Sequence, residues 1–373
     1  MEALPKYKQI AKSLIEKIKK GEYKKNTFLP SENKLTKIYK CSRVTVRHAL
    51  SILIKQNLIK SIPGVGSVII GDSDFASNIK DEEIVYPKKI KNIYIILVYP
   101  ERIKWGIENP FYAEIISGIE EKVREKGYHI SFTVCESVRR ISDLSEIIIN
   151  RHVNGFILLG DIEEKINELI KKSGLPVISV NNPLAEKYNI PIVVNDDYRG
   201  GYEVAKFLLN IGCKNLACIK GPKDSPSCEI RFEGFISGLK NMGYNTSNLS
   251  VVEGNLEFEG GYEGAKKILI SYHKHIPDAI FCINDLMAIG AMKYITERGF
   301  KIPDNINVVG FDNIALSSQV VPPLTTVEMR RKEMGIIAAE KLIEFIEDKS
   351  KFYPLKIVLP CKLIIRSSTL NKK

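Results

Sequence analysis

Residues 29–50 read LPSENKLTKIYKCSRVTVRHAL, and the architecture around them follows from how this stretch divides. Pro30-Ser31 opens a short helix around Leu35 and Ile38, and Ser42 is placed to N-cap another from Arg43 to about Gln56. On that later helix Arg43 and Arg47 lie four apart and share a face. Val46, Leu50 and Leu53 occupy another face, which can pack on neighbours. Upstream, the 6–20 segment places Ile10, Leu14 and Ile18 at helical spacing between lysines, with Gly21 as the expected C-cap. Downstream, the β-prone runs LIKSI and SVII flank Pro63-Gly64-Val65-Gly66, which reads as a hairpin tip. Three helices and a hairpin predict a compact unit that docks one helix by its apolar side and offers its cationic side outward.

The charge follows the same division. Of a net +11, residues 1–72 carry +10, with 15 Lys and Arg against 5 Asp and Glu; the remaining 301 residues hold 40 against 39. A solvated surface spreads its charge, whereas a footprint for phosphates concentrates it. Arginine offers paired donors to a guanine edge, Ser42 and Thr45 can reach phosphate or base, and a helix N-terminus itself favours phosphate. Alone, an arginine pair at this spacing is more often just a solvated face. With the segregated charge and the hairpin, it points to double-stranded DNA.

Residues 71–91 lack sustained apolar periodicity and read as a linker. From Ile93 onward apolar strands alternate with amphipathic helices. The strands are IYIILVY (93–99), HISFTVC (129–135), NGFILLG (154–160), PVISV (176–180), PIVVN (191–195), NLACIKG (215–221), DAIFCIN (278–284) and INVVGFD (306–312), with KIVLPCKLIIR (356–366) near the end. Short continuous Val, Ile and Leu runs suit strands buried on both faces of a parallel sheet. So many strands predict two α/β lobes rather than one sheet.

Several functions are excluded. The start, MEALPKYKQI, has no apolar core of a secretory signal, so a cytoplasmic location is expected. No run approaches the roughly 20 apolar residues of a membrane helix. The seven scattered cysteines form no CxxC pair and fit reduced thiols. There is no GxGxxG after the first strand, no GxxxxGK[ST] and no GxSxG; DYRGGYE and EGGYEG lack phosphate-loop spacing. The five histidines form no metal signature, and His273-x-His275 reads as surface. No catalysis, cofactor or metal is expected.

The 29–50 stretch followed by PGVGSVI resembles the winged helix-turn-helix domain of the GntR family over about residues 4–70. That resemblance implies DNA contacts at Glu32, Ser42, Arg43, Thr45 and Arg47, with the wing tip at Gly64 and Gly66 near the minor groove. Asn33 stands where many relatives have Arg, and Val44 where others have Thr. Some GntR-type proteins carry an aminotransferase-like domain that uses pyridoxal phosphate, but the remainder of this chain is shorter and its motifs run in another order. Residues 92–370 instead resemble the LacI/GalR effector domain and its periplasmic sugar-binding relatives. The matching stretches are NPFYAEIISGIE, VNDDYRGGYEVAKFLLNIG, IRFEGFISGL, FCINDLMAIGAM, VVGFDN and PPLTTV.

The second resemblance implies a two-lobed α/β fold of Rossmann-like lobes with parallel sheets, the first lobe about 92–195 and 323–350, the second about 196–320 and 353–366. It implies an effector site at Asp196, Arg231, Asn284 and Asp312, with Ser227 and Asp285 close by and Phe111 or Tyr112 stacking on the ligand. An aromatic that some relatives place in the second lobe is here Leu256, with Phe258 two residues on. Each residue has a plainer reading: Asp285 as a helix N-cap, Asp312 as a loop closer, Arg231 as an ion-pair partner, Phe111 as core. Position favours a site, because Asn284 and Asp312 follow the C-terminal ends of apolar strands, where ligands sit in open α/β sheets. The joined domains resemble the arabinose-responsive repressors of Gram-positive bacteria. This implies a homodimer that leaves a two-fold operator when a small sugar, L-arabinose foremost, binds. The competing reading is a sugar- or nucleoside-binding receptor module without operator-specific DNA binding. The localised charge and the missing signal argue against it.

Overall fold

The computed structural model describes residues 5–62, 66–77, 92–98, 109–135, 153–160, 164–271 and 276–370. The chain divides into two compact units, Met1–Ile90 and Lys91–Lys373. In the first, α1 (Lys6–Lys19), α2 (Glu32–Tyr39) and α3 (Arg43–Lys55) precede an antiparallel hairpin of β1 (Ile59–Ile62) and β2 (Gly66–Ile69). Both serines cap as their positions predict: Ser31 Oγ accepts from the Lys34 N–H at 3.4 Å, and Ser42 Oγ from the Thr45 N–H at 3.2 Å. Each hydroxyl satisfies an amide that the start of a helix leaves without an internal partner. The apolar sides of the helices close on one core in which Ile10, Leu14, Ile18, Leu35, Val46, Leu50 and Leu53 are buried. Each such side chain contributes roughly 1.5–3 kcal/mol by burial. The hairpin tip (63–65) and residues 78–91 of the expected linker lie outside the described residues; a short helix, α4 (Ser73–Ser77), occupies the linker's start.

The second unit holds two parallel sheets. β3 (Asn92–Val98), β4 (His129–Cys135), β5 (Gly155–Gly160), β6 (Val177–Val180) and β7 (Ile192–Asn195) belong to one, with α5 (Pro110–Glu125) and α6 (Glu164–Ser173) between them in sequence. β8 (Leu216–Lys220), β9 (Ser250–Glu253), β10 (Ala279–Cys282) and β11 (Asn307–Val309) form the other, in the order β11-β10-β8-β9. Its helices are α7 (Asp197–Asn210), α8 (Pro226–Asn241), α9 (Phe258–Ser271) and α10 (Asp285–Glu297). Then come β12 (Thr326–Glu328), α11 (Arg331–Glu347), β13 (Lys356–Leu359) and β14 (Lys362–Ile364). β5, β6, β7 and β10 are buried along their whole length, as covered parallel strands must be.

Two segments change lobe relative to the sequence expectation. β13 runs parallel to β7 and completes the first sheet, in the order β13-β7-β6-β5-β3-β4, although 353–366 was assigned to the second lobe. Residues 323–328 attach to the second lobe instead: Thr325 bridges Val309, Glu328 bridges Asp312, and β12 pairs with β14. β13 is an edge strand whose burial alternates. Nothing in such a pattern says which of two neighbouring sheets it joins. The chain therefore crosses between lobes after β7, after β12 and after β13. Among the described residues no helix is long and apolar enough to cross a membrane.

Candidate functional site

The first unit gathers three of its expected contact residues. Glu32, in the first turn of α2, faces the exposed side of α3. Arg43 Nε donates to Glu32 Oε2 at 2.7 Å, and Arg47 Nε donates to both carboxylate oxygens at 3.0 Å. Partial burial works against the Glu32 charge, but the two arginines outweigh it and hold the carboxyl below its ordinary value. The carboxylate takes the Nε groups, and both arginine side chains stay more than half exposed. Ser42 and Thr45 sit at the N-terminus of α3, their hydroxyls 2.8 Å apart. Gly66 starts β2 with φ +139°, a conformation a side chain resists. Gly64 lies outside the described residues.

In the second unit a cleft enclosing about 740 Å³, part of it open to solvent, is lined from both lobes. Asn109, Phe111, Tyr112 and Asn181 come from the first; Ser225, Ser227, Cys228, Arg231, Leu256, Asn284 and Asp312 come from the second. Arg231, on α8 and only 4 % exposed, is the fixed point. Its Nε donates to Asp197 Oδ1 at 2.7 Å, and its Nη1 to Asp312 Oδ1 at 3.1 Å and to the Ile283 carbonyl at 2.9 Å. Its guanidinium carbon lies over the Phe311 ring, 4.1 Å from the ring centre. Burial alone would push Arg231 to lose its proton, and the two carboxylates keep it charged.

The carboxylates pay unequally for this position. Burial pushes Asp312 up to about 6 despite the pull of Arg231 and Arg331, and it raises Asp197 as well. Asp285 goes further, to about 8, through burial and the neighbouring Asp312 charge, against hydrogen bonds from Thr326 and the Ile314 amide. Burial likewise lifts the Cys228 thiol to about 11, so it lines the cleft as a neutral group.

Of the residues implied by resemblance, Phe111, Tyr112, Ser227, Arg231, Asn284 and Asp312 line the cleft. Asp196 does not: it N-caps α7, accepting the Arg199 amide at 3.0 Å, and its neighbour Asp197 is the one that meets Arg231. Asp285 is not the N-cap of α10. Asn284 holds that place, accepting the Met287 amide at 3.0 Å while its Nδ2 donates to the Leu256 carbonyl at 2.8 Å. Asp285 lies behind the cleft, fully buried, accepting from Ile314 N–H at 2.9 Å and Thr326 Oγ1 at 2.6 Å. Leu256 faces the cleft, whereas Phe258 belongs to a separate hollow with Ile289 and Val320. Sequence reading passed over Asn181, whose buried Oδ1 has no hydrogen-bond partner among the described residues. Its signal was modest: a polar residue ending an apolar strand, held at φ +58°.

Residues 92–367 match the family described as periplasmic binding proteins and sugar binding domain of LacI family, and residues 6–69 match bacterial regulatory proteins, gntR family. The HTH-type transcriptional repressor PurR of Pasteurella multocida is 32% identical over 270 residues, 71% of this chain and 79% of PurR. The HTH-type transcriptional regulator DegA of Bacillus subtilis is 34% identical over 284 residues, 74% of this chain and 80% of DegA. A LacI family transcriptional regulator from Enterococcus faecalis, solved with bound ribose, superimposes with a TM-score of 0.65 at 29% identity, covering 76% of this chain and all of that one.

Proposed function

The chain belongs to the family of periplasmic binding proteins and LacI-type sugar-binding domains, with a gntR-family regulatory domain ahead of it, and on that premise we propose a cytoplasmic repressor of sugar-utilisation genes that leaves its operator when a small sugar fills the cleft. It is a regulator, not an enzyme. The observation that carries the reading is the cleft lining: Asn181, Ser227, Asn284 and Asp312 line it together with Phe111, and Arg231 is fixed among them. Directional polar groups match neighbouring hydroxyls, and an aromatic face suits the C–H side of a sugar ring. Buried groups left unpaired by a missing hydroxyl make such a site selective.

In this reading a homodimer presents two winged helices to a two-fold operator, with Glu32, Ser42, Arg43, Thr45, Arg47, Gly64 and Gly66 at the DNA. Sugar closes the cleft and shifts the population toward the state that cannot hold DNA. A preference of about 100-fold per site supplies about 2.7 kcal/mol, ample for induction. L-arabinose is the leading effector, and ribose the first comparator because a similar regulator was solved with it bound.

Two measurements test the proposal. Operator affinity should fall steeply with salt if the basic unit grips phosphates. Flat salt dependence, or no DNA retained at low salt, leaves a sugar receptor only. Thermal unfolding across a panel of neutral sugars should rise with the effector, since binding to the folded state stabilises it. A rise with L-arabinose alone assigns it; no rise with any sugar removes the sugar reading.

A further inference from the structure

The backbone that presents Asp312 to the cleft is unusual. Asp312 and Asn313 both hold positive φ, +114° and +54°. The first lies in a region that L-residues avoid, and such a pair persists only where its surroundings over-determine it. Its amides are held from within the second lobe: Asp312 N–H donates to the Val327 carbonyl at 2.9 Å, and the following Ile314 N–H to Asp285 Oδ2 at 2.9 Å. Its carbonyls are held from beyond the lobe crossing, by Arg331, the first residue of α11. Arg331 Nη1 donates to the Asp312 carbonyl, and Nη2 to the Asn313 carbonyl at 3.0 Å.

The same guanidinium faces the first lobe. Its Nη2 and Nε donate to Glu114 on α5 at 2.8 and 3.2 Å. Its centre lies 5.9 Å from the ring of Phe111, the aromatic wall of the cleft. Arg331 is 2 % exposed, so its bonds to the two backbone carbonyls are made largely out of water, where they act strongly, while its Glu114 partner is half exposed. One rigid fork thus touches the carboxylate-bearing backbone of one lobe and the aromatic helix of the other.

We infer that Arg331 is a positioning residue of the ligand site, fixing the Asp312 carboxylate at the cleft and tying its orientation to the Phe111 wall of the opposite lobe. A lysine would place one ammonium where a planar fork now spans four acceptors, and would replace only part of this. The affinity arm of the test below rests on the sugar reading; the exchange arm does not.

Hydrogen exchange is followed in the full chain without sugar, for wild type, Arg331→Ala, Arg331→Lys and Glu114→Gln. The alanine variant should speed exchange of the 312–314 amides tenfold or more while β8 and β10 keep their protection, with the lysine variant between. L-arabinose and D-ribose are then titrated, and whichever binds wild type should bind Arg331→Ala at least tenfold more weakly, about 1.4 kcal/mol. Lysine should recover part of that loss. Should the alanine variant fail to fold, Glu114→Gln, a change at a side chain that is itself half exposed, should shift both readouts the same way by about two- to fivefold. Unchanged exchange at 312–314, or a rise spread evenly over the second lobe, overturns the inference, as does wild-type affinity in Arg331→Ala. If wild type binds neither sugar, the exchange result alone decides the role of Arg331, and the sugar panel decides the sugar reading.

Discussion

Replacing Arg231 with alanine should cost about 3–5 kcal/mol of stability, and most of that cost should come from what is left behind. The guanidinium contacts Asp197 at 2.7 Å and Asp312 at 3.1 Å, and all three side chains are at most 8% exposed. At an effective dielectric near 20, each close pair is worth about 4 kcal/mol of attraction. Against this stands the desolvation of the guanidinium, several kcal/mol that its removal returns. The balance is a strong net loss, because two carboxylates stay buried without a counter-charge. Two corollaries separate this account from a simple cavity. Removing Asp197 together with Arg231 should cost less than the two single changes added, since one orphaned charge disappears with its partner. The loss should also be smaller at pH 5 than at pH 8: without Arg231 both carboxyl values rise further, and protonation at low pH relieves the repulsion. Scanning calorimetry of the full chain at the two pH values reads both effects. A cost under about 1 kcal/mol that is independent of pH, with additive single changes, would refute the electrostatic argument.

Other expectations follow from the same geometry. Arg43→Ala should weaken operator binding by roughly ten- to a hundredfold at one base position, as loss of a paired guanine contact does, while sugar still raises the melting temperature. Anisotropy titration against operator and a substituted operator checks it. Asp285 sits at about 8 in the fold against an ordinary 3.8, so the native state keeps a proton that the unfolded chain releases. Its contribution to stability therefore declines as pH rises from about 4 to about 8, and Asp285→Asn should flatten that decline in urea unfolding curves. Gly201→Ala should lower both the melting temperature and the sugar affinity, by about 1–3 kcal/mol in stability, because a Cβ there would stand 2.0 Å from the Arg231 carbonyl.

Local order was legible in the sequence and long-range adjacency was not. Ser31 and Ser42 announce their helices because capping is settled within four residues. The buried strands announce themselves by continuous apolar runs. The aspartate pair 196–197 shows where such reading ends. Both follow β7, and a cap and a buried partner for arginine are chemically alike on paper. Only the turn of α7 decides that Asp196 closes the helix while Asp197 points inward to Arg231. Asn284 and Asp285 present the same ambiguity at α10, with the cap again going to the first residue. The Arg331 fork joins Glu114, Asp312 and Asn313, and no local spacing could place those groups together.

The glycines of DYRGGYE and EGGYEG have a structural role that their sequence spacing does not reveal. Neither motif has phosphate-loop spacing, and the structure uses both for helix crossings. A Cβ on Gly201 would meet the Arg231 carbonyl at 2.0 Å, and one on Gly234 would meet the Tyr198 carbonyl at the same distance, so α7 and α8 touch backbone to backbone. Gly261 and Gly290 stand in the same reciprocal relation to Met287 and Phe258 across α9 and α10, and Gly118 and Gly335 to Lys332 and Ile115 across α5 and α11. Each crossing involves a helix that carries or follows a cleft residue: Arg231 on α8, Asn284 at the N-cap of α10, and Phe111 on α5. An arginine can be buried between carboxylates at hydrogen-bond distance only if the helices carrying them are fixed to a few tenths of an ångström. Close glycine contacts provide that, because backbone against backbone leaves no rotamer to adjust. The polar chemistry of the cleft therefore depends on apolar positions that carry no side chain at all.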